Sequence, residues 1–291
     1  MQQQGTFCDF SGGDSWVILS PIEQSIKRKI EAVGTPLKEW DINIYRGVLT
    51  GYNEAFIIST EKRDEILANC KTEDERKRSA ELIRPILRGR DIKRYGYEWA
   101  NLWLINTHNG IKGKLERIHI EDYPAVKAHL DQFWDKIKGR ADQGDTPYNL
   151  RNCAYLEDFS KPKVMWKIIG CNINFSFDDN AMVCNNAVDI MTGKREHLLQ
   201  YIGIMNSKLY DWYLKLTTEA EVQGGGIQLY VTTLEKTLVK LDFPNSLNVI
   251  IEQRINGLVS DEIVDAAIFN AFGLTVEEID AINNSTRIKR Q

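Results

Sequence analysis

The chain has 291 residues, 43% hydrophobic and 27% charged, with a net charge of −4. That is room for one large or two smaller domains, with the composition of an ordinary folded protein. No apolar run approaches the ~20 residues a bilayer requires, and the first residues, MQQQGTFCDFSGGDSW, carry no secretion signal, so the expected compartment is the cytoplasm.

In chain order, the first element is a helix over 21–33. Ser20 is its N-cap, Pro21 takes the first position and Glu23 completes a capping box; Gly34 and Pro36 end it. Residues 42–59 read as strand, turn and strand, with the turn at Thr50-Gly51-Tyr52-Asn53. Helices follow near 61–69 and 73–84, the second stopped by Pro85. Residues 101–106 form a short apolar strand, and HNGIKGKLE (108–116) a Gly-rich basic turn. A helix over 122–138 places Val126, Leu130, Phe133 and Ile137 on one face. A polar loop covers 139–149. Three strand-like runs occupy 163–169, 172–177 and 181–190. A helix at 195–216 is broken near Asn206, and 218–230 is loop and then strand. From Ser246 onward the pattern is helical, punctuated by Gly257 and Gly273, with Ser260 and Thr275 as N-caps. No internal repeat or low-complexity tract occurs.

These elements predict an α+β fold: a mixed, mostly antiparallel sheet region with helices, followed by a C-terminal helical segment. The expected layout is a linker and capping helix at 1–40, a main region at 41–241 and an acidic helical segment at 242–291.

The charge is unevenly spread. Residues 84–117 hold eight Lys/Arg against three Asp/Glu, whereas 241–286 hold one Arg against eight Asp/Glu. One part of the chain can face a polyanion and another cannot.

Several chemistries lack their residues. Cys8, Cys70, Cys153, Cys171 and Cys184 are odd in number and contain no C-x-x-C, so neither a disulfide framework nor a zinc site is expected. The four histidines, His108, His119, His129 and His197, form no ligand pattern. Gly224-Gly225-Gly226 precedes a strand rather than a helix, the wrong context for a nucleotide-binding loop. The chain has no N-P or D-P dipeptide, so it lacks the N-P-P-Y or D-P-P-Y turn of amino-methyltransferases acting on DNA. Asp91-Ile92-Lys93 supplies only half of a metal-nuclease motif. A nucleophile elbow is also absent.

The chemistry present is that of phosphate and base recognition. Lys and Arg neutralise phosphates and release counterions; Arg reads guanine and Asn reads adenine through paired hydrogen bonds. Candidates near turns are Arg46, Thr50, Tyr52 and Asn53 in the first hairpin, Arg88, Arg90, Lys93 and Arg94 in the basic run, and Lys112 and Lys114 in the Gly-rich turn. Asn106 and Asn109 follow the short strand. Arg84 and Arg88 could equally pair with Glu81 or with the acidic tail. Tyr95 and Tyr97 are stacking candidates, while Trp103 and Trp166 read as core.

Six blocks carry a resemblance: RGVLTGYNEAFII (46–58), IRPILRGRDIKRYGYEWANLWLIN (83–106), YPAVKAHL (123–130), KPKVMWKII (161–169), IGIMNSKLYDWYLK (202–215) and AIFNAFGLTVEEI (267–279). In this order the chain resembles the TaqI-like C-terminal specificity domain of type IIG restriction–modification adenine methyltransferases. The resemblance implies a domain that reads a short duplex DNA sequence for a methyltransferase, sometimes also a nuclease, domain on the same polypeptide. That catalytic part is absent here, so the chain is expected to be non-catalytic and to bind no cofactor. S-adenosylmethionine, with Mg as a further candidate, belongs to the missing part. Blocks shared among readers of different sequences imply scaffold or phosphate contact, and base readers are expected in 108–117, 139–150 and 170–180. Two rival readings remain: a metal-dependent nuclease using Asp91 and Lys93, and a protein-interaction module whose basic run docks on an acidic partner.

Overall fold

The computed structural model describes residues 19–170, 174–217, 221–222 and 226–285. Cys8, Cys171, Gly224, Gly225, the opening segment and part of the 170–180 loop lie outside the described residues. The chain forms two compact units. One comprises 42–169 and 174–198; the other takes the described residues before 42, Gly170, and those from 199 onward.

The first unit contains two four-stranded sheets. One runs in the order Ile42–Arg46, Val188–Gly193, Lys163–Lys167, Phe175–Asp178, with every neighbour antiparallel. Its register lines up Arg46, Asp189, Trp166 and Phe175 across the four strands, and directly opposed residues share a face. The second runs Ile57–Ser59, Leu102–Ile105, Ile83–Leu87, Val183–Cys184; its last pair is parallel and the others antiparallel. The expected α+β class with mostly antiparallel pairing is what the chain forms.

Helices Thr60–Ala68 and Glu73–Leu82 start where Ser59 and Thr72 accept the backbone amides of Lys62 and Glu75. Ile66, Leu82 and Leu130 from helices and Ile58, Ile86 and Leu104 from strands are buried in one hydrophobic core.

Five expectations in this unit are corrected. Strands 42–46 and 57–59 belong to different sheets, so the first hairpin does not form, and the 181–190 run is two strands, Val183–Cys184 and Val188–Gly193. The helix reaching 84 ends at Leu82, and the next five residues are a strand that contains Pro85. Proline is tolerated because the pairing changes over there: 83–85 pair with the 102–105 strand and 86–87 with the 183–184 strand. The single helix expected at 122–138 is two pieces, Pro124–Asp131 and Trp134–Ile137, separated at Phe133 where ψ swings to 13°. The turn expected at 50–53 instead leads into a one-turn helix, Asn53–Phe56, before the 57–59 strand.

The second unit is mainly helical. The capping box expected at Ser20 opens Pro21–Val33, with Ser20 N donating to Glu23 Oε2 at 2.9 Å. The expected break near Asn206 is real. Ser207 Oγ donates to the Ile204 carbonyl at 2.6 Å and accepts from Tyr210 N, starting Lys208–Thr217. Asn245–Ile255, Asp261–Ala271 and Val276–Asn283 follow, the last opened by the Thr275–Glu278 capping box. The acidic segment is tied within this unit: Glu278 takes the Lys29 ammonium at 2.6 Å and the Ser25 hydroxyl at 2.7 Å. Thr35–Pro36 pairs with Leu238–Val239 in a small ladder, and a short helix, Val231–Lys236, precedes the second of these strands.

Candidate nucleic-acid interface

The basic run begins on a strand and ends in a tight turn. After Leu87 the chain forms a 3-10 turn, Gly89–Asp91. The buried Asp91 carboxylate accepts the Arg88 backbone amide at 2.8 Å, Arg88 Nε at 3.1 Å and Arg88 Nη2 at 2.9 Å. Arg88 therefore braces the turn with the group it would otherwise offer to a phosphate. Arg84 Nη2 donates to the Ala181 carbonyl at 3.3 Å. Lys93 and Glu98 pair at 3.2 Å on the surface, an interaction of little strength that a phosphate can displace. Arg94 lies 5.8 Å from the Tyr95 ring centre. Arg90 is exposed and makes no ion pair among the described residues.

The stacking expectation for Tyr95 is corrected. Its φ is 67° and its ring is buried. The backbone is held there because Tyr95 N donates to the Phe175 carbonyl at 2.8 Å and the Tyr95 carbonyl accepts from Phe177 N. Tyr97 is half-buried; its hydroxyl donates to Asp178 at 2.9 Å, and burial pushes its pKa up to about 12. Trp166 is buried in the core as expected. Trp103 packs beneath the Arg63 guanidinium and donates to Thr60 Oγ1 at 2.9 Å.

The same geometry lends the nuclease reading no support. Both Asp91 oxygens are occupied by Arg88, and Lys93 turns to Glu98. Among the described residues no three His, Cys, Asp or Glu side chains are grouped to hold a metal ion.

The TGYNEAF block builds a knuckle. Thr50 is buried and donates from Oγ1 to Asn53 Oδ1 at 2.6 Å. Gly51 has φ 67°, and a Cβ there would meet Arg140 Cδ at 2.8 Å. The Ala55 carbonyl lies 3.0 Å from His129 Nε2. Phe56 is fully buried beneath the Arg140 guanidinium. Tyr52 leans on Phe133, ring centres 6.2 Å apart, while Asn53 faces solvent. Arg46 is exposed at the end of its strand, opposite Asp189.

Two loops then meet. In the first, Gly110 and Gly113 have φ of 72° and 75°, and Ile111 bridges Leu115 to close a hairpin. A Cβ on Gly110 would lie 2.5 Å from the Leu115 carbonyl, so the turn demands glycine. Lys112 projects at its tip, exposed and with no ion pair among the described residues; Lys114 pairs with Glu157 at 2.5 Å. In the second loop, the buried Arg140 donates to the carbonyls of Asp142, Pro147 and Asn149. Burial pushes its pKa down to about 10, against the pull of Asp142.

The structure thus joins Thr50 to Asn53, places Arg88 and Arg90 at the 89–91 turn with Lys93 and Arg94 just beyond it, and sets Lys112 and Lys114 on one hairpin. Sequence reasoning missed Arg140, Asn149 and Asp189. Asn149 and Asp189 act on partners distant in the chain, and Arg140 closes its own loop while stacking on the distant Phe56, which no local spacing displays.

The TaqI-like C-terminal specificity domain matches residues 84–237. Among solved structures, the type IIL restriction-modification enzyme MmeI, determined in complex with DNA, has a TM-score of 0.58 and 12% identity, covering 84% of this chain and 35% of that one. The type IIG restriction endonuclease BpuSI has a TM-score of 0.55 and 13% identity, covering 90% of this chain and 31% of that one. The chain therefore spans about a third of the length of these enzymes and shares their fold over that part. No curated protein is similar to it in sequence.

Proposed function

The chain belongs to the family of TaqI-like C-terminal specificity domains, and we propose on that footing that it reads a short duplex DNA sequence on behalf of an adenine-specific methyltransferase of a restriction–modification system. It is a recognition domain and not a catalyst by itself. The observation that carries the reading is the family match over 84–237, which takes in both the basic turn and the two interlocked loops. The similar enzyme MmeI is solved with DNA bound.

In this reading Arg90, Lys112 and the loosely paired Lys93 and Lys114 hold phosphates. Arg46, Tyr52, Asn53 and Arg94 flank them, and Arg88 and Thr50 shape the turns that present them. The methyltransferase part, with S-adenosylmethionine and, where the parent also cuts DNA, Mg, is the partner on the same polypeptide. Among the described residues no helix is long and apolar enough to cross a membrane, and we place the chain in the cytoplasm, where its DNA is.

Binding of the purified chain to duplex DNA across a salt series tests the electrostatic half of this proposal. Each phosphate contact contributes about −0.9 to the slope of log K against log salt, so two to four contacts give about −2 to −4. A slope near zero, or no binding at low salt, would contradict it and favour docking on an acidic protein.

A further inference from the structure

We infer that the 107–118 hairpin and the 140–152 loop form one composite base-reading element, with Asn109 and Asn149 as its positioning residues. The inference rests on the DNA-reading function proposed above and deepens it.

The join is dense and runs both ways. Leu150 N donates to the Thr107 carbonyl at 2.8 Å, and Thr107 Oγ1 returns a bond to the Tyr148 carbonyl at 2.6 Å. Asn149, 1% exposed, sends its amide nitrogen to the carbonyls of His108 at 3.3 Å and Ile118 at 2.9 Å, spanning both legs of the hairpin. Its oxygen is held in turn by Thr146 Oγ1 at 2.6 Å. Asn109 does the reverse. Its oxygen accepts the Asp145 backbone amide at 2.8 Å, and its nitrogen donates to Asp145 Oδ1 at 3.0 Å and to Asn152 Oδ1. Arg117 reaches Asp145 at 3.6 Å. A Cβ on Gly144 would fall 2.4 Å from Asn109 Oδ1, so the Asn109 side chain lies against the Gly144 backbone with no room for a side chain there.

Each loop thus uses one asparagine to satisfy backbone groups of the other. Polar side chains remain exposed on both loops: Lys112 and Lys114 from the hairpin, Asp145, Arg151 and Asn152 from the loop. Reading a base edge requires paired donors and acceptors held to about half an ångström. Two loops that share their hydrogen bonds hold each other's polar groups in place as neither would alone. Base preference therefore belongs to the pair, and a sequence change in one loop alone disturbs both.

The test uses the full chain and two variants. Asn109→Ala is read by sequencing duplexes that the protein selects from a random library at low salt. Total binding should stay within about threefold of wild type, since no phosphate contact is removed. Enrichment of the preferred bases should fall roughly tenfold, the size of one good base contact, at positions read by both loops. Asn149→Ala is read by amide hydrogen exchange without DNA. Its effect should appear in the other loop, with exchange at Ile118 and neighbouring hairpin amides roughly tenfold faster. Unchanged enrichment in Asn109→Ala, or loosening confined to 140–152 in Asn149→Ala, would overturn the composite element while leaving DNA reading intact. A wild-type chain that enriches no motif would instead remove the function on which the inference stands, and the inference with it.

Discussion

The Arg140 guanidinium lies 4.4 Å from the centre of the Phe56 ring, a buried cation stacked on the TGYNEAF knuckle and bonded only to carbonyls at its edge. Among the described residues no carboxylate pairs with it directly; the loop closes around it because its planar fork satisfies three carbonyls at once. Arg140→Met should cost about 2–4 kcal/mol, since those carbonyls lose their donors in a dry site. Arg140→Lys should recover little, because an ammonium cannot span the fork. Urea unfolding of both variants against wild type measures this.

A buried ion pair anchors the edge of the first sheet. Lys163 and Asp178 meet with both side chains 0% exposed. Lys163 also donates to the Phe159 carbonyl at 2.7 Å, and Asp178 accepts from Met182 N at 3.1 Å. Removing one partner strands the other charge, so Asp178→Asn should destabilise the chain by about 3–5 kcal/mol. The double variant Lys163→Met, Asp178→Asn should lose less than the sum of the single changes, which a double-mutant cycle would read.

Asp189 makes stability depend on pH. Burial pushes its pKa up to about 6, with Arg46 opposing, and its Oδ1 has no hydrogen-bond partner among the described residues. The nearby Tyr155 is raised by burial to about 12 and stays neutral throughout. The folded protein therefore keeps a proton that the unfolded chain releases near 3.9. Between these values the stability from Asp189 declines as pH rises, and above about 6 the folded state carries the full cost of a buried charge. Asp189→Asn should accordingly raise the melting temperature relative to wild type at pH 8, by the equivalent of roughly 1–3 kcal/mol, and the gain should shrink toward pH 5. Thermal scans at several pH values check it; an equal gain at every pH would contradict it.

Charge reversal separates the cations that bind from those that brace. Arg90→Glu and Lys112→Glu should leave stability within about 0.5 kcal/mol. They should weaken DNA binding about equally for all sequences and lower the salt slope by about one each. Arg88→Glu should instead unfold the 88–91 turn, because it faces Asp91 with a second carboxylate. A change in preferred sequence for Arg90→Glu would show that Arg90 reads a base.

The helices were the most legible part of the chain. Ser20-Pro21 and Thr275-Val276 announce their caps locally, and local chemistry forms them. Strand 83–87 was hidden because Pro85 signals an end to structure unless its partner strands are known, and 183–184 lies nearly a hundred residues away. The same limit hid the site. The basic run was visible as composition, but its division into Arg88, which is occupied, and Arg90, which is not, depends on where Asp91 points. Arg140 and Asn149 sit in a polar loop with no motif; Asn149 takes its role from the hairpin it meets, and Arg140 from closing its own loop onto Phe56. Tyr95 looked like a free aromatic beside cations; its burial follows from sheet pairing with 175–177 that no spacing in the sequence encodes.

The measurement that bears most directly on the central claim is selection of a random duplex library by the wild-type chain at low salt, followed by sequencing of the bound pool. The account predicts an enriched motif of several base pairs, with each mismatch costing about 1–3 kcal/mol. A bound pool as random as the input would contradict it, leaving a backbone-binding surface without sequence reading.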